Sequence, residues 1–447
     1  MAVSITQDPG DYNLAYGVNA LTLTGITPGS KYVMQVWDSG LTNKLADVRQ
    51  SPNVEGKAIF DIQNILQSYI TGSKKDLETI TQLATSADET VRYYIKFGSE
   101  TAAGAVTIDG TSTVKEAFGG RKEYFEIDWD PETYQCEVSG NDASPVCTVI
   151  DQKGRPLTDL PTCLADSMPG FNPYGSDPIY CAKVTDNDHL TVSFLSKLNR
   201  NASAVSQAQG IEAFQITFYN GDTYNGFLSI PNIESNGGGP NNAVGDGESV
   251  TDPYSIISVG LGPQNITIPA NTTHYYVTTR VWTNCTPNNL LDYGHTPVRV
   301  DIVEANCNDY DHIRVSWTNS YGMRDYYSFT KRNEKRIRIN RNTYLQESAD
   351  YASTSYTTNR YDRGTTTFSQ KLDMDYTAST DWVSDEDAIY LENLFVSPDV
   401  RVKIGDGEWQ PVTLTSNSYT ERNYRKDRLF QYQIQFRAAH GLKSQRG

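Results

Sequence analysis

Apolar and polar residues alternate in short runs along most of the chain, with a period of two. Ile313, Val315 and Trp317 alternate with Arg314, Ser316 and Thr318. Near the far end Phe430, Tyr432, Ile434 and Phe436 alternate with Gln431, Gln433, Gln435 and Arg437. Successive side chains of a strand point to opposite faces, so each run predicts a half-buried strand with its apolar set turned inward. The same pattern marks Leu21 and Leu23, then Tyr32, Met34 and Val36, then Tyr93, Ile95 and Phe97. Turn chemistry at Thr27-Pro28-Gly29-Ser30 and Asp38-Ser39-Gly40 separates these runs. Leu190, Val192 and Phe194, and then Phe214, Ile216 and Phe218, predict two more strands; others are expected at 256–259, 275–282 and 298–303. Val400, Val402 and Ile404 lead through Gly405-Asp406-Gly407 into Trp409, Val412 and Leu414, as in a hairpin.

Helical spacing is rare. Ser384 followed by Asp387 predicts a capped helix over 384–396, with Ala388, Leu391, Leu394 and Phe395 on one face. Asp61 is placed to cap a shorter helix in which Ile62, Ile65, Leu66 and Tyr69 face inward. The predicted fold class is therefore mainly β: a multidomain β-sandwich of Ig- or fibronectin-like modules with a few short helices. Three regions are expected. Residues 1–105 form an Ig/fibronectin-like module. Residues 106–250 form a loop-rich β insertion, irregular from Cys136 to Cys181 and ending in a Gly/Asn-rich linker at 236–247. Residues 251–447 form a β-rich assembly domain.

Charge adds a candidate surface. The chain of 447 residues carries a net charge of -16. Residues 311–447 hold 20 basic and 18 acidic side chains, a balance of +2, which leaves -18 for residues 1–310. Basic runs stand at Lys331–Arg341 and Arg422–Arg428. Charge on a strand edge blocks unwanted pairing, and it also suits an acidic partner such as another copy's front portion. The candidate interface residues are Arg332, Arg336, Arg338, Arg422, Arg425, Lys426, Arg428, Tyr326 and Tyr327. With pI near 4.8, nucleic acid is not an expected partner. No apolar run reaches the roughly 18–20 residues of a membrane helix, so no membrane span is expected. The first residues show neither a basic nor an apolar leader segment, and the chain is expected to be made and kept in a cytoplasm. Six cysteines, at 136, 147, 163, 181, 285 and 307, form no C-x-x-C pair; reduced, buried thiols are expected, with oxidation after release as the alternative for the 136–181 group.

Catalytic and ligand signals are sparse. Glu126-Ile127-Asp128-Trp129-Asp130 resembles the carboxylate strand of some β-sandwich glycosidases, but Pro131 stands where that pattern places a further acid. A polar strand face ending in a turn explains the same residues. Asp186-Asn187-Asp188-His189 gathers oxygen ligands as a calcium loop would, making Asp186 and Asp188 the metal candidates, yet it lacks the glycine and closing glutamate of an EF-hand. The five histidines pair with no Ser or Cys motif, and no phosphate-binding loop is present. No enzyme activity and no cofactor are expected. Sequons at Asn201, Asn265, Asn271 and Asn284 carry no weight without a leader. Tyr254, Tyr275, Tyr276, Tyr293, Tyr321, Tyr326 and Tyr327 could serve as stacking platforms for saccharide or as interface residues, or be ordinary strand residues.

Two runs carry a family resemblance. Trp317-Thr318-Asn319-Ser320-Tyr321-Gly322-Met323-Arg324-Asp325-Tyr326-Tyr327-Ser328-Phe329 is one, and Tyr390-Leu391-Glu392-Asn393-Leu394-Phe395-Val396-Ser397-Pro398, with the hairpin and final strand that follow, is the other. Together with the Asp61–Tyr69 element they resemble virion structural proteins of tailed bacteriophages, over roughly residues 12–97 and 311–437. The resemblance implies assembly in the tail, neck or baseplate, with itself (as a homo-oligomer, such as a ring) and other virion proteins as partners, and localisation in the virion. It brings no site residues with it. Removing 422–447 is expected to abolish assembly while leaving the first module folded. The alternative is a phage adhesin that binds a host-surface glycan; a glycan-degrading enzyme is the remaining one.

Overall fold

The computed structural model describes residues 2–70, 83–86, 89–121, 130–134, 137–138, 150–152, 154–163, 179–197, 211–231, 254–283, 290–303, 312–345, 349–352, 355–358, 364–405, 407–416 and 431–440. It is mainly β, with thirty strands and two α-helices among the described residues. The chain divides into two compact units: Met1–Glu304 with Thr318–Tyr326, and Ala305–Trp317 with Tyr327–Gly447. The glycine-rich stretch at 236–247 lies outside the described residues.

The first unit opens with a two-sheet sandwich. Strands Ser4–Gln7, Ala20–Thr24 and Ala58–Asp61 make one sheet. Tyr12–Leu14, Lys115–Phe118, Thr90–Glu100, Lys31–Asp38 and Lys44–Gln50 follow one another in the other. Leu21, Leu23 and Phe60 from the first meet Tyr32, Met34, Val36, Tyr93 and Ile95 from the second in one core. Apart from Phe60, these belong to the inward sets that the alternation predicts. The short helix Gln63–Tyr69 buries Ile62 and Leu66 in the same core. The N-cap position is Ile62 and not the expected Asp61, which stands one residue before it and accepts the Gln63 N–H on Oδ1 at 3.0 Å. Tyr69 departs from expectation: it is exposed, and its hydroxyl donates to the Leu45 carbonyl at 3.0 Å.

Later in this unit a seven-stranded sheet runs Thr162–Cys163, Ile179–Val184, Val298–Ile302, His274–Thr283, Ile211–Asn220, Thr223–Pro231, with Leu290–Tyr293 beside His274–Thr283. A three-stranded sheet holds Thr191–Lys197, Tyr254–Gly260 and Leu83–Ser86. Phe194 from the smaller sheet meets Phe214 from the larger at 5.3 Å between ring centres. His295 joins them, edge-on to Phe194 at 5.5 Å, and is fully buried. Its Nδ1 bonds Thr279 Oγ1 at 2.8 Å and its Nε2 bonds the Leu195 carbonyl at 3.1 Å. Burial pulls its pKa down to about 4, so the ring is a neutral packing element. Cys163 and Cys181 sit on adjacent strands with Cα atoms 5.8 Å apart and are joined as a disulfide, in place of the reduced thiols expected there. The other four cysteines lie outside the described residues.

The motif at 318–326 belongs to this unit, and its composition follows from how it is held. Asn319 Oδ1 accepts from the N–H groups of Tyr321 at 3.0 Å and Met323 at 2.9 Å, and its Nδ2 donates to the Leu157 carbonyl at 3.1 Å. Asp159 receives the Ser320 N–H at 2.7 Å and its hydroxyl at 2.5 Å. Gly322 turns the loop at φ +83° and lies so close to the Gly119 backbone that a Cβ has no room. Met323 is buried with Leu14, Phe118, Leu157, Leu195 and Ile256. Asp325, fully buried, accepts from Thr158 Oγ1 at 2.6 Å and from the Asp159 N–H at 2.9 Å.

The second unit carries most of another seven-stranded sheet. In spatial order the strands are Arg324–Phe329, Ile313–Thr318, Val400–Ile404, Gln410–Leu414, Gln433–Ala438, Thr365–Ser379 and Asn333–Leu345. Ile434 and Phe436 are buried between exposed Gln433 and Gln435, as the alternation predicts. The strand Ile313–Thr318 is different. Arg314 and Ser316 are buried as well as Ile313, Val315 and Trp317, because this strand lies inside the sheet and is covered on both faces. Arg314 Nη1 donates to Ser328 Oγ at 2.9 Å.

The helix Asp385–Val396 packs Tyr390 on Trp317 at 5.0 Å and buries Ala388, Leu391 and Leu394. Its capping box is complete: Ser384 Oγ accepts the Asp387 N–H at 3.2 Å, and Asp387 Oδ2 accepts the Ser384 N–H at 3.4 Å. Replacing Ser384 by alanine removes the first of these bonds and is expected to cost about 1 kcal/mol in chemical denaturation. A loss below roughly 0.3 kcal/mol would show that the cap is redundant.

Candidate assembly interface

The outermost two strands of the second unit reach well beyond the sheet. Asn333–Leu345 pairs antiparallel with Thr365–Ser379 along its whole length. Only Asp375–Ser379 of the latter also pairs with Gln433–Ala438. Among the described residues, then, 337–345 and 365–374 pair only with each other, as a two-stranded ribbon about 30 Å long at roughly 3.4 Å per residue. The connecting segment holds a smaller hairpin, Ala349–Ala352 with Ser355–Thr358.

Register assigns each face. Ile337 stands opposite Met374, and Ile339 opposite Leu372, so these four share one face. Arg336 opposite Asp375 and Arg338 opposite Asp373 occupy the other. Ile337 is 50% exposed, Ile339 42% and Leu345 81%, which is too much apolar surface for a strand that has finished packing. Near the tip Phe368, 62% exposed, sits at a register shift and meets Tyr344 edge-on at 6.2 Å. The ionic face is internally paired: Arg338 reaches Asp375 at 3.1 Å, Arg437 reaches it at 2.8 Å, and Lys371 reaches Asp373 at 3.4 Å. The hydrogen bond from Arg437 holds the Asp375 carboxyl below its usual range. An isolated ribbon of two strands is marginal in water, and these exposed ion pairs add little to it. The arrangement suits a surface that is completed by a partner.

The predicted interface residues separate on this frame. Arg332, Arg336 and Arg338 are exposed on or beside the ribbon, with Arg332 paired to Glu334. Tyr326 is buried in the chain's own interior, so it offers no surface to a partner. Tyr327 is half-buried, edge-on to Phe329 at 4.9 Å; burial raises its hydroxyl pKa. Arg422, Arg425, Lys426 and Arg428 lie outside the described residues. The second ribbon strand is not among the strands expected above, yet it carries a signal of its own: Lys371-Leu372-Asp373-Met374-Asp375-Tyr376 alternates with period two.

Other candidates resolve into structure. Asp188 turns inward, its Oδ2 accepting the Thr185 N–H at 2.7 Å, while Asp186 faces solvent. The two calcium candidates therefore do not present a common face, and no cluster of three metal-ligating side chains occurs among the described residues. Glu126 and Asp128 lie outside them. Tyr275 and Tyr276 are buried, the former donating to the Leu261 carbonyl at 2.7 Å, and so are not stacking platforms. Tyr321 is half-buried, edge-on to Tyr134 at 5.1 Å; the side chains of Tyr254 and Tyr293 lie outside the described set. Asn265 is buried, and its Oδ1 accepts from the Leu190 and Gly262 N–H groups, which leaves it closed to glycosylation.

No protein-family model matches the chain, and no curated protein matches it. A solved structure titled as fibronectin(III)-like modules of CbhA from Clostridium thermocellum is similar at 10% identity, covering 69% of this chain and 97% of that one, with a TM-score of 0.15.

Proposed function

We propose that this chain is a non-enzymatic structural component of a tailed bacteriophage virion, in the tail, neck or baseplate, that assembles through protein–protein contacts. The observation that carries the reading is the ribbon of 333–345 and 365–379, with its unfinished apolar face. The resemblance of the 317–329 and 390–398 motifs to virion proteins supplies the setting. In this structure the first of those motifs is an architectural loop, held by Asp159 and Leu157, and the second is a packed helix. The partners are other copies of the chain and neighbouring virion proteins. The test is whether the chain is a stoichiometric component of purified particles.

Removing 422–447 is not a clean probe of this role. The truncation takes away Gln433–Ala438, which lies between Gln410–Leu414 and Thr365–Ser379, and so breaks the sheet itself.

Glycan binding by the same particle protein is the second reading. Tyr224 and Phe227, 56% and 63% exposed on the edge strand Thr223–Pro231, are the residues that favour it.

A further inference from the structure

Resting on that assembly role, we infer that the ribbon docks on a second copy of this chain, its Ile337, Ile339, Leu372 and Met374 face seating on the acid-rich 1–310 portion of that copy. Charge selects the partner. Residues 331–345 and 365–379 hold seven Lys or Arg against three Asp or Glu, a balance of +4, within a chain whose total is -16. The rest of each copy therefore carries -20, and residues 1–310 account for -18 of it. A basic, partly apolar arm on an acidic body is complementary to another such body.

Charge also selects the geometry. Among the described residues Asn333–Leu345 ends the sheet, and strand addition at its outer edge is one geometry for association. Pairing that edge antiparallel with the same edge of a second copy would bring the basic run of Lys335, Arg336, Arg338 and Arg341 alongside the same basic run of that copy. Like charges opposed in this way are unfavourable, so the contact is heterologous, arm to body, and repeats from copy to copy.

Area sets the strength. A face about 30 Å by 10 Å covers roughly 300 Å², against roughly 800 Å² per partner in a standard stable interface. One arm contact is therefore weak and salt-sensitive, and a closed ring or a particle scaffold accumulates several of them.

The experiment mixes isotopically heavy and light full-length chains and treats them with a carbodiimide, which joins a lysine amine to an adjacent carboxylate. The expected products are heavy-to-light peptides linking Lys335, which shares the apolar face by register, to Asp or Glu within 1–310, several-fold fewer at about 0.5 M than at about 0.05 M salt. A variant with Ile337→Ser, Ile339→Ser and Leu372→Ser is expected to lose them while keeping the wild-type unfolding midpoint. A second variant, Arg341→Glu, keeps Ile337, Ile339, Leu372 and Met374, reverses a charge on their face, and is expected to lose them too. Arm-to-arm products, or arm-to-body products that survive in both variants, overturn the inference. Association through other residues overturns it as well, but leaves the assembly role standing; absence of the chain from purified particles removes that role.

Discussion

Replacing Trp317 by alanine is expected to lower stability by about 3–5 kcal/mol, among the largest losses a single substitution in this chain can produce. Trp317 is fully buried on an interior strand between Arg324–Phe329 and Val400–Ile404, and its ring meets Tyr390 of the capped helix at 5.0 Å. Truncation opens a cavity beneath that helix, and neighbours held by sheet hydrogen bonds can collapse into it only in part. The indole N–H has no hydrogen-bond partner among the described residues, so the loss is one of packing. Trp317→Phe should therefore keep most of the stability. Urea denaturation of both variants checks this: similar losses for Phe and Ala would mean that the indole nitrogen, not the ring's volume, matters. A double cycle with Tyr390→Ala should show a coupling of about 0.5–1.5 kcal/mol.

The second large effect concerns pH and rests on two buried groups in the first unit. Asp325 is pushed up to about 7 by burial first and by the neighbouring Asp159 carboxylate second. Burial raises Asp159 as well, against its hydrogen bonds from Ser320 and the charge of Arg121. With the folded pKa of Asp325 above its unfolded value, its contribution is full in acid and is lost as pH rises towards 7. His295 has the opposite sign. Its folded pKa is depressed from 6.5 to about 4, so its contribution is full above 6.5 and falls by about 3 kcal/mol as pH drops to 4.

Between about pH 4 and 6.5 the two slopes oppose each other in the natural chain, and single variants should uncover each. Asp325→Asn is expected to gain stability with rising pH across this window, and His295→Gln to lose it. Urea midpoints at several pH values decide the matter. Slopes of the same sign in both variants would show that one of the two protonation states is misassigned.

Much of this architecture is legible in the sequence, because a period of two has one physical meaning on a half-buried strand. Leu21, Tyr32, Met34, Ile95, Phe214, Ile216, Ile434 and Phe436 all turn inward as their alternation requires. Ser384 and Asp387 announce their helix because a capping box is purely local. The rule fails at Arg314 and Ser316, where a strand covered on both faces buries its polar set too. The loop at 319–325 could be recognised as a motif but not explained, since Asp159 and Ser320 stand 161 residues apart. Only the fold brings the carboxylate to the hydroxyl. The ribbon was half legible: the basic run at 331–341 reads as an edge, while its apolar face appears only when Ile337 and Ile339 are paired with Met374 and Leu372. Tyr326, drawn into the interface by its aromatic neighbours, belongs to the interior.

Incorporation of this chain into a particle, as proposed, is tested by quantitative peptide analysis of purified tailed particles from a producing culture. The expected result is the chain in every preparation, at a constant whole-number ratio to the other tail, neck or baseplate proteins, and retained through high-salt washing. A chain found only in the soluble lysate, or at ratios that drift and fall with washing, would contradict it.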